Sequence, residues 1–146
     1  MLNTFQSLQL NAQDRVMDSL KLVLKNAKHD TIRCNILNEM IQAEIDDNIW
    51  PNYNEQLKIL AEKNIAGKAE PKSFYFKHLA DALNNIGYLA HKKGDIPKAI
   101  DYYHKSLKIQ EETGNKIGIA QSLNNFGFIY FNQGDIIINF SLNHFV

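Results

Sequence analysis

Apolar residues return every three or four positions along most of this chain, and no stretch alternates long enough to make a strand with hairpin turns. From Asp14 to Ala27 the run Val16, Leu20, Leu22, Val23 and Leu24 predicts a helix with its apolar residues on one side. Asp30 or Thr31 suits the N-cap of a second helix reaching about Asp46, with Ile32, Ile36, Leu37, Met40, Ile41 and Ile45 at helical spacing. Asp46-Asp47-Asn48 breaks that helix, and Pro51 fits the first turn of a third, striped by Tyr53, Leu57, Leu60 and Ala61. Residues 65–71 (IAGKAEP) read as a linker, having both a Gly and a Pro.

The next segment is the most regular. A helix over 72–93 carries Phe76, Leu79, Ala80, Leu83, Ile86, Gly87 and Ala90 on one face. Gly94 suits the left-handed conformation that closes a helix, and Asp95 caps the next one, with Pro97 in its first turn. Ala99, Ile100, Tyr103, Leu107 and Gln110 mark the inward and flanking positions of that helix, which ends near Gly114. So short a turn makes the pair antiparallel. A further helix opens near Lys116 and runs to Gln133.

These two stretches are copies. Leu83-Asn84-Asn85-Ile86-Gly87-Tyr88 returns as Leu123-Asn124-Asn125-Phe126-Gly127-Phe128, and Gly94-Asp95-Ile96 returns as Gly134-Asp135-Ile136, both at an offset of 40 residues. A fixed period of this length marks stacked small units, each unable to bury its apolar face alone. The expected fold class is therefore all-α, a right-handed superhelical stack of antiparallel helix-turn-helix repeats. Its parts are a lead-in and helix over 1–29, a degenerate hairpin over 30–66, a complete repeat over 72–114, and a second repeat over 115–146 that is truncated or atypical at its end. There Asn139 takes the register of Ala99 and Asn143 that of Tyr103, and 136–140 (IIINF) favours strand over helix. A chain truncated or frame-shifted within a unit of a longer protein would read this way.

The pattern resembles the tetratricopeptide repeat: Leu83, Ile86-Gly87, Ala90, Ala99 and Tyr103 in one copy, and Leu123, Phe126-Gly127 and Tyr130 in the next. The proline that ends such units is absent, with Glu111 nearby, and the long period resembles the extended repeats of bacterial signalling proteins and kinesin light chains. Gly87 and Ala99 are expected to face each other where the two helices cross closest. With Leu83, Gly94, Tyr103, Leu123, Gly127 and Gly134 they make up the repeat signature. The resemblance implies a groove lined by the first helix of each unit, across which a partner peptide lies. Asn84, Asn85, Tyr88 and His91 would line it from one copy, and Asn124, Asn125, Phe128 and Phe131 from the next. Amides offer donor and acceptor together, suiting them to a peptide backbone, and the rings would supply apolar anchors. Two alternatives stay open here: Asn85 and Asn125 bond across helices to hold the stack, and Phe128 and Phe131 belong to the core.

Composition narrows the function classes. Sixteen basic residues balance sixteen acidic ones, so no net field draws the chain to nucleic acid. No apolar run approaches the roughly 20 residues of a membrane span. Cys34 is the sole cysteine, which excludes an internal disulfide and a cysteine-rich metal site, and its place on an apolar stripe makes it a buried small hydrophobe. His29, His78, His91, His104 and His144 form no metal-ligand spacing and read as solvated helix residues. Trp50 beside Pro51 reads as a pin for the turn between two helices, or, if exposed, as a binding hot spot. No catalytic set, glycine-rich phosphate loop, metal site or cofactor motif appears.

Residues 1–13 are open to two readings: a lead-in to the first helix, or the remnant of an export signal whose end resembles Leu10-Asn11-Ala12-Gln13. The compartment is left open: the sequence as it stands implies the cytoplasm, and a longer start carrying an export signal would imply the periplasm. The expected function is a scaffold binding a protein or peptide, without nucleic acid, membrane insertion or enzyme activity. The alternative is the N-terminal sensory or coupling part of a bacterial signalling protein such as a histidine kinase, with further domains in the parent chain.

Overall fold

A computed structural model of the chain describes residues 2–132, with side chains from 12 to 131. Among these residues the chain is all-α, built of α1 (Leu2–Asn26), α2 (Asp30–Ala43), α3 (Trp50–Ala66), α4 (Lys72–Lys92), α5 (Ile96–Glu112) and α6 (Lys116–Asn132). Two compact units part between His78 and Leu79, inside α4. The C-terminal departures at Asn139 and Asn143, the turn at Gly134-Asp135 and His144 lie outside the described residues.

In the first unit the inward stripe of α1 is Met17, Leu20 and Leu24, packed against Ile36 and Met40 of α2. This corrects the expected face: Val16, Leu22 and Val23 are exposed, because they fall off the three-four spacing that Met17 sets. A second cluster gathers Cys34, Leu37, Leu57 and Tyr75 from α2, α3 and the start of α4. In α2 the outer ends of the expected stripe, Ile32 and Ile45, are exposed, and the helix stops at Ala43.

The N-cap position of α2 is His29, one residue ahead of the expected cap, and it makes no side-chain capping bond. Asp30 sits inside the first turn instead. Its Oδ2 accepts a hydrogen bond of 3.0 Å from the Asn64 amide of α3, with Lys63 Nζ at 3.5 Å. The Asn64 bond outweighs desolvation and, aided by Lys63 and Arg33, holds the Asp30 carboxyl below its ordinary value. Asp30 thereby ties the start of α2 to the end of α3. At the other end of the hairpin Trp50 is buried and its Nε1 donates to Asp47 Oδ1 at 3.0 Å, so it pins the turn.

Cys34 is fully buried, and burial, followed by the neighbouring Asp30 charge, pushes its thiol up to about 11 from 9.0. A raised folded value means that the thiol's contribution to stability is intact below pH 9.0 and is lost as pH climbs through about 11. The native protein should therefore resist a thiol-specific disulfide reagent at pH 8 and react fully in denaturant. Rapid labelling of the native chain would show that Cys34 is not enclosed.

The second unit is a helical hairpin with a third helix against it. Gly94 and Gly114 take φ values of +79° and +67°, closing α4 and α5 in the left-handed region that glycine enters without strain. Asp95 caps α5 by accepting from the Lys98 N–H at 3.2 Å, as its place after Gly94 implies. The core consists of Ala90, Ala99, Tyr103, Phe126 and Ile129, flanked by Ile96, Ile100 and Leu107.

Candidate functional site

The geometry of the second unit starts from Gly87. A Cβ at that position would lie 2.7 Å from the Tyr103 ring and 3.2 Å from the Ala99 carbonyl oxygen, so α4 and α5 cross there with no room for a side chain. Tyr103 is enclosed between Gly87 on one side and the edge of Phe126 of α6 on the other, with ring centroids 5.8 Å apart. Burial, and then the proximity of Tyr88, pushes its hydroxyl up to about 12. One aromatic ring thus joins three helices.

A buried polar chain runs alongside. Ser106 Oγ donates to the Ala80 carbonyl of α4 at 2.7 Å and accepts from Gln110 Nε2 at 3.1 Å. Ser122 Oγ of α6 donates to Gln110 Oε1 at 2.8 Å. All three side chains are enclosed. Gly118 leaves the Gln110 amide space to reach α6, for a Cβ there would stand 2.7 Å from Gln110 Cδ. Ser106 was missed in the sequence, yet 99, 103, 106 and 110 fall on one 4-3-4 stripe, which is the signal for an inward serine.

With α4 and α6 held this way, their outer sides form one face. On it Phe128 is 57% and Phe131 68% exposed, which excludes the core reading for both. Tyr88 is exposed too, and His91 is half-buried with its ring edge-on to Phe128 at 5.5 Å. Asn124 is exposed, and Asn85 is half-buried. The asparagines do not pair at the 40-residue offset: Asn125 Nδ2 donates to Asn84 Oδ1 at 2.8 Å, bridging α6 to α4. Asn125 thus makes the cross-helix bond that was the alternative to a groove role, and its partner is Asn84.

Sequence equivalents differ in their surroundings. Leu83 is half-buried, whereas Leu123 and Tyr130 are exposed. Among the described residues a Cβ at Gly127 would meet nothing within 4 Å. The segment after α6, which contains Gly134, lies outside the described residues. One histidine corrects the expectation of solvation: His78 is buried against Phe74, at 4.4 Å between ring centroids, whereas His104 is exposed, with its ring 4.6 Å from that of Phe126. Among the described residues no group of three or more His, Cys, Asp or Glu side chains is placed to hold a metal ion, and no helix is long and apolar enough to cross a membrane.

Antiparallel helices at a fixed period, crossing at a glycine and leaving one face of the leading helices open, define an α-helical repeat scaffold. Residues 78–136 match the family model described as tetratricopeptide repeat, which supports the resemblance over that stretch. Such repeats serve as protein–protein interaction scaffolds and bring no catalytic machinery of their own. No curated protein and no solved structure matches the chain significantly.

Proposed function

We propose that the face shared by α4 and α6 binds an extended segment of a partner protein, with Tyr88, Phe128 and Phe131 as apolar anchors. The observation that supports this reading is the exposure of Phe128 and Phe131 on a helix whose only formal charge is Lys116. Exposed rings collected on one rigid face are costly in water and suit a partner that covers them. Asn124 adds an exposed amide suited to a peptide backbone, while Asn84 and Asn125 keep the two helices in register. If the chain is the coupling part of a larger signalling protein, the same face would receive another segment of its own parent chain.

The test is a pull-down from the source cell with the full-length gene product, comparing the parent with Phe128→Ser and Phe131→Ser. Each variant should melt like the parent, since both rings are exposed, yet retain roughly thirtyfold less partner, as expected for loss of a hot spot. Equal recovery of the same partners by parent and variants would place the binding surface elsewhere.

A further inference from the structure

The corner where α1 meets α2 carries a feature that the repeat pattern does not use. A shallow, open cleft of about 490 Å³ lies there, lined by Leu22, Val23, Ala27 and Ile32 together with Lys28 and His29. Its lining is not sealed by the fold, for Leu22 is 62%, Val23 48% and Ile32 44% exposed. The inward side of α1 is already satisfied by Met17, Leu20 and Leu24 against α2. These aliphatic groups are therefore surplus to the core of the first unit, and leaving several together in water is unfavourable.

The charge around the cleft is net positive. Residues 18–33 hold four cations, Lys21, Lys25, Lys28 and Arg33, of which Lys21 pairs with Asp18 at 3.8 Å and Arg33 with Asp30 at 3.7 Å. The Asp30 carboxylate is also engaged by Asn64 and Lys63. Among the described residues Lys25 and Lys28 have no carboxylate within ion-pair distance. The dipole at the C-terminus of α1 accounts for one of these cations, Lys25 in the last turn, but not for the aliphatic lining beside them.

We propose that this cleft docks a short acidic segment of another protein that inserts one or two aliphatic side chains. An apolar lining beside cations complements a chain in which leucine-like residues are set among glutamates or aspartates. The charge decides between partners: of the four cations only Lys25 and Lys28 are left without a carboxylate, fewer than the roughly four to eight clustered cations that draw a chain to an anionic bilayer. The site belongs to the first unit and the α4–α6 face to the second, and they share no residue, so either reading stands or falls without the other.

The experiment uses the full chain and two fluorescein-labelled peptides of roughly twelve residues. One sets two leucines four positions apart among glutamates, and its counterpart has lysines in place of the glutamates. Fluorescence anisotropy should show saturable binding of the acidic peptide, weakening as salt rises, with the basic counterpart at least about tenfold weaker. Val23→Asp and Lys28→Glu, both at exposed positions, should melt like the parent and each weaken the acidic peptide by about fivefold or more. Absence of acidic-peptide binding, equal binding of the two peptides, or full affinity in both variants would overturn the proposal. So would co-sedimentation with phosphatidylglycerol vesicles without peptide binding. A concentration-dependent dimer that Val23→Asp abolishes would overturn it in favour of a second copy as the occupant.

Discussion

Gly87→Leu should lower the stability of this protein by about 3 kcal/mol, the upper end of the overpacking range. The first added atom already stands 2.7 Å from the Tyr103 ring and 3.2 Å from the Ala99 carbonyl. Neither obstacle yields cheaply, since the carbonyl is part of helix α5 and the ring is backed by Phe126. Replacing glycine inside a helix returns up to about 1 kcal/mol of propensity, so Gly87→Ala should cost less than Gly87→Leu and remain below the parent. A fall of that size is a large share of the roughly 5–15 kcal/mol that holds a domain folded, and thermal melts will register it as about 10 °C. A Gly87→Leu protein as stable as the parent would mean that α4 and α5 do not cross there. Gly127→Leu makes an informative comparison: it occupies the same register on α6, where the described residues leave space, so a cost there would reveal a further element packed on α6.

Gln110→Ala should rank next, at about 2–4 kcal/mol. The substitution strands the Ser122 hydroxyl without its acceptor and removes the donor that satisfies Ser106. Unpaired buried groups cost about 1–3 kcal/mol each, and the deleted side chain leaves a hole beside them. Gln110→Leu refills the volume but not the bonds, so it should fall between the parent and Gln110→Ala. The triple change Ser106→Ala, Gln110→Leu, Ser122→Ala removes every stranded group and should come close to the parent. Denaturant melts of these variants, arranged as double-mutant cycles, isolate the coupling. Additive effects along the set would show that the polar chain does not act as a unit.

The all-α class, the helix boundaries in the second unit and the Gly87 crossing were legible because several local signals agreed there. Gly94 and Asp95 punctuate, Ala99 and Tyr103 fall on one stripe, and the whole pattern recurs. The first unit was harder. Its α1 holds apolar residues on more than one side, so Val16, Leu22 and Val23 counted as core by hydrophobicity alone when their angular position excludes them. Burial of His78 was invisible for a related reason: a histidine between apolar positions carries no sign of which neighbour, here Phe74, will cover it. For the candidate site, the sequence supplied candidate residues but not the pairing. The repeat implies that Asn84 and Asn124 are equivalent, and only packing decides that Asn84 meets Asn125. Exposure of Phe128 and Phe131 was likewise undecidable from spacing, since both belong to the run 126–131 (FGFIYF), which has no charged residue to mark an outer side.

The serine–glutamine–serine chain also limits modularity. Families built on a common template invite transplantation of one hairpin into another array, with apolar shape the main criterion of fit. Here α5 offers its successor a glutamine oxygen, and α6 answers with a hydroxyl beside a glycine, Gly118, that clears the approach. A foreign neighbour of consensus type would have to bring that same polar tongue-and-groove, or leave an amide facing nothing in the dry interior. Order along the array is in this way written into two helices, and a swap that ignores it yields a poorer joint however well its leucines fit.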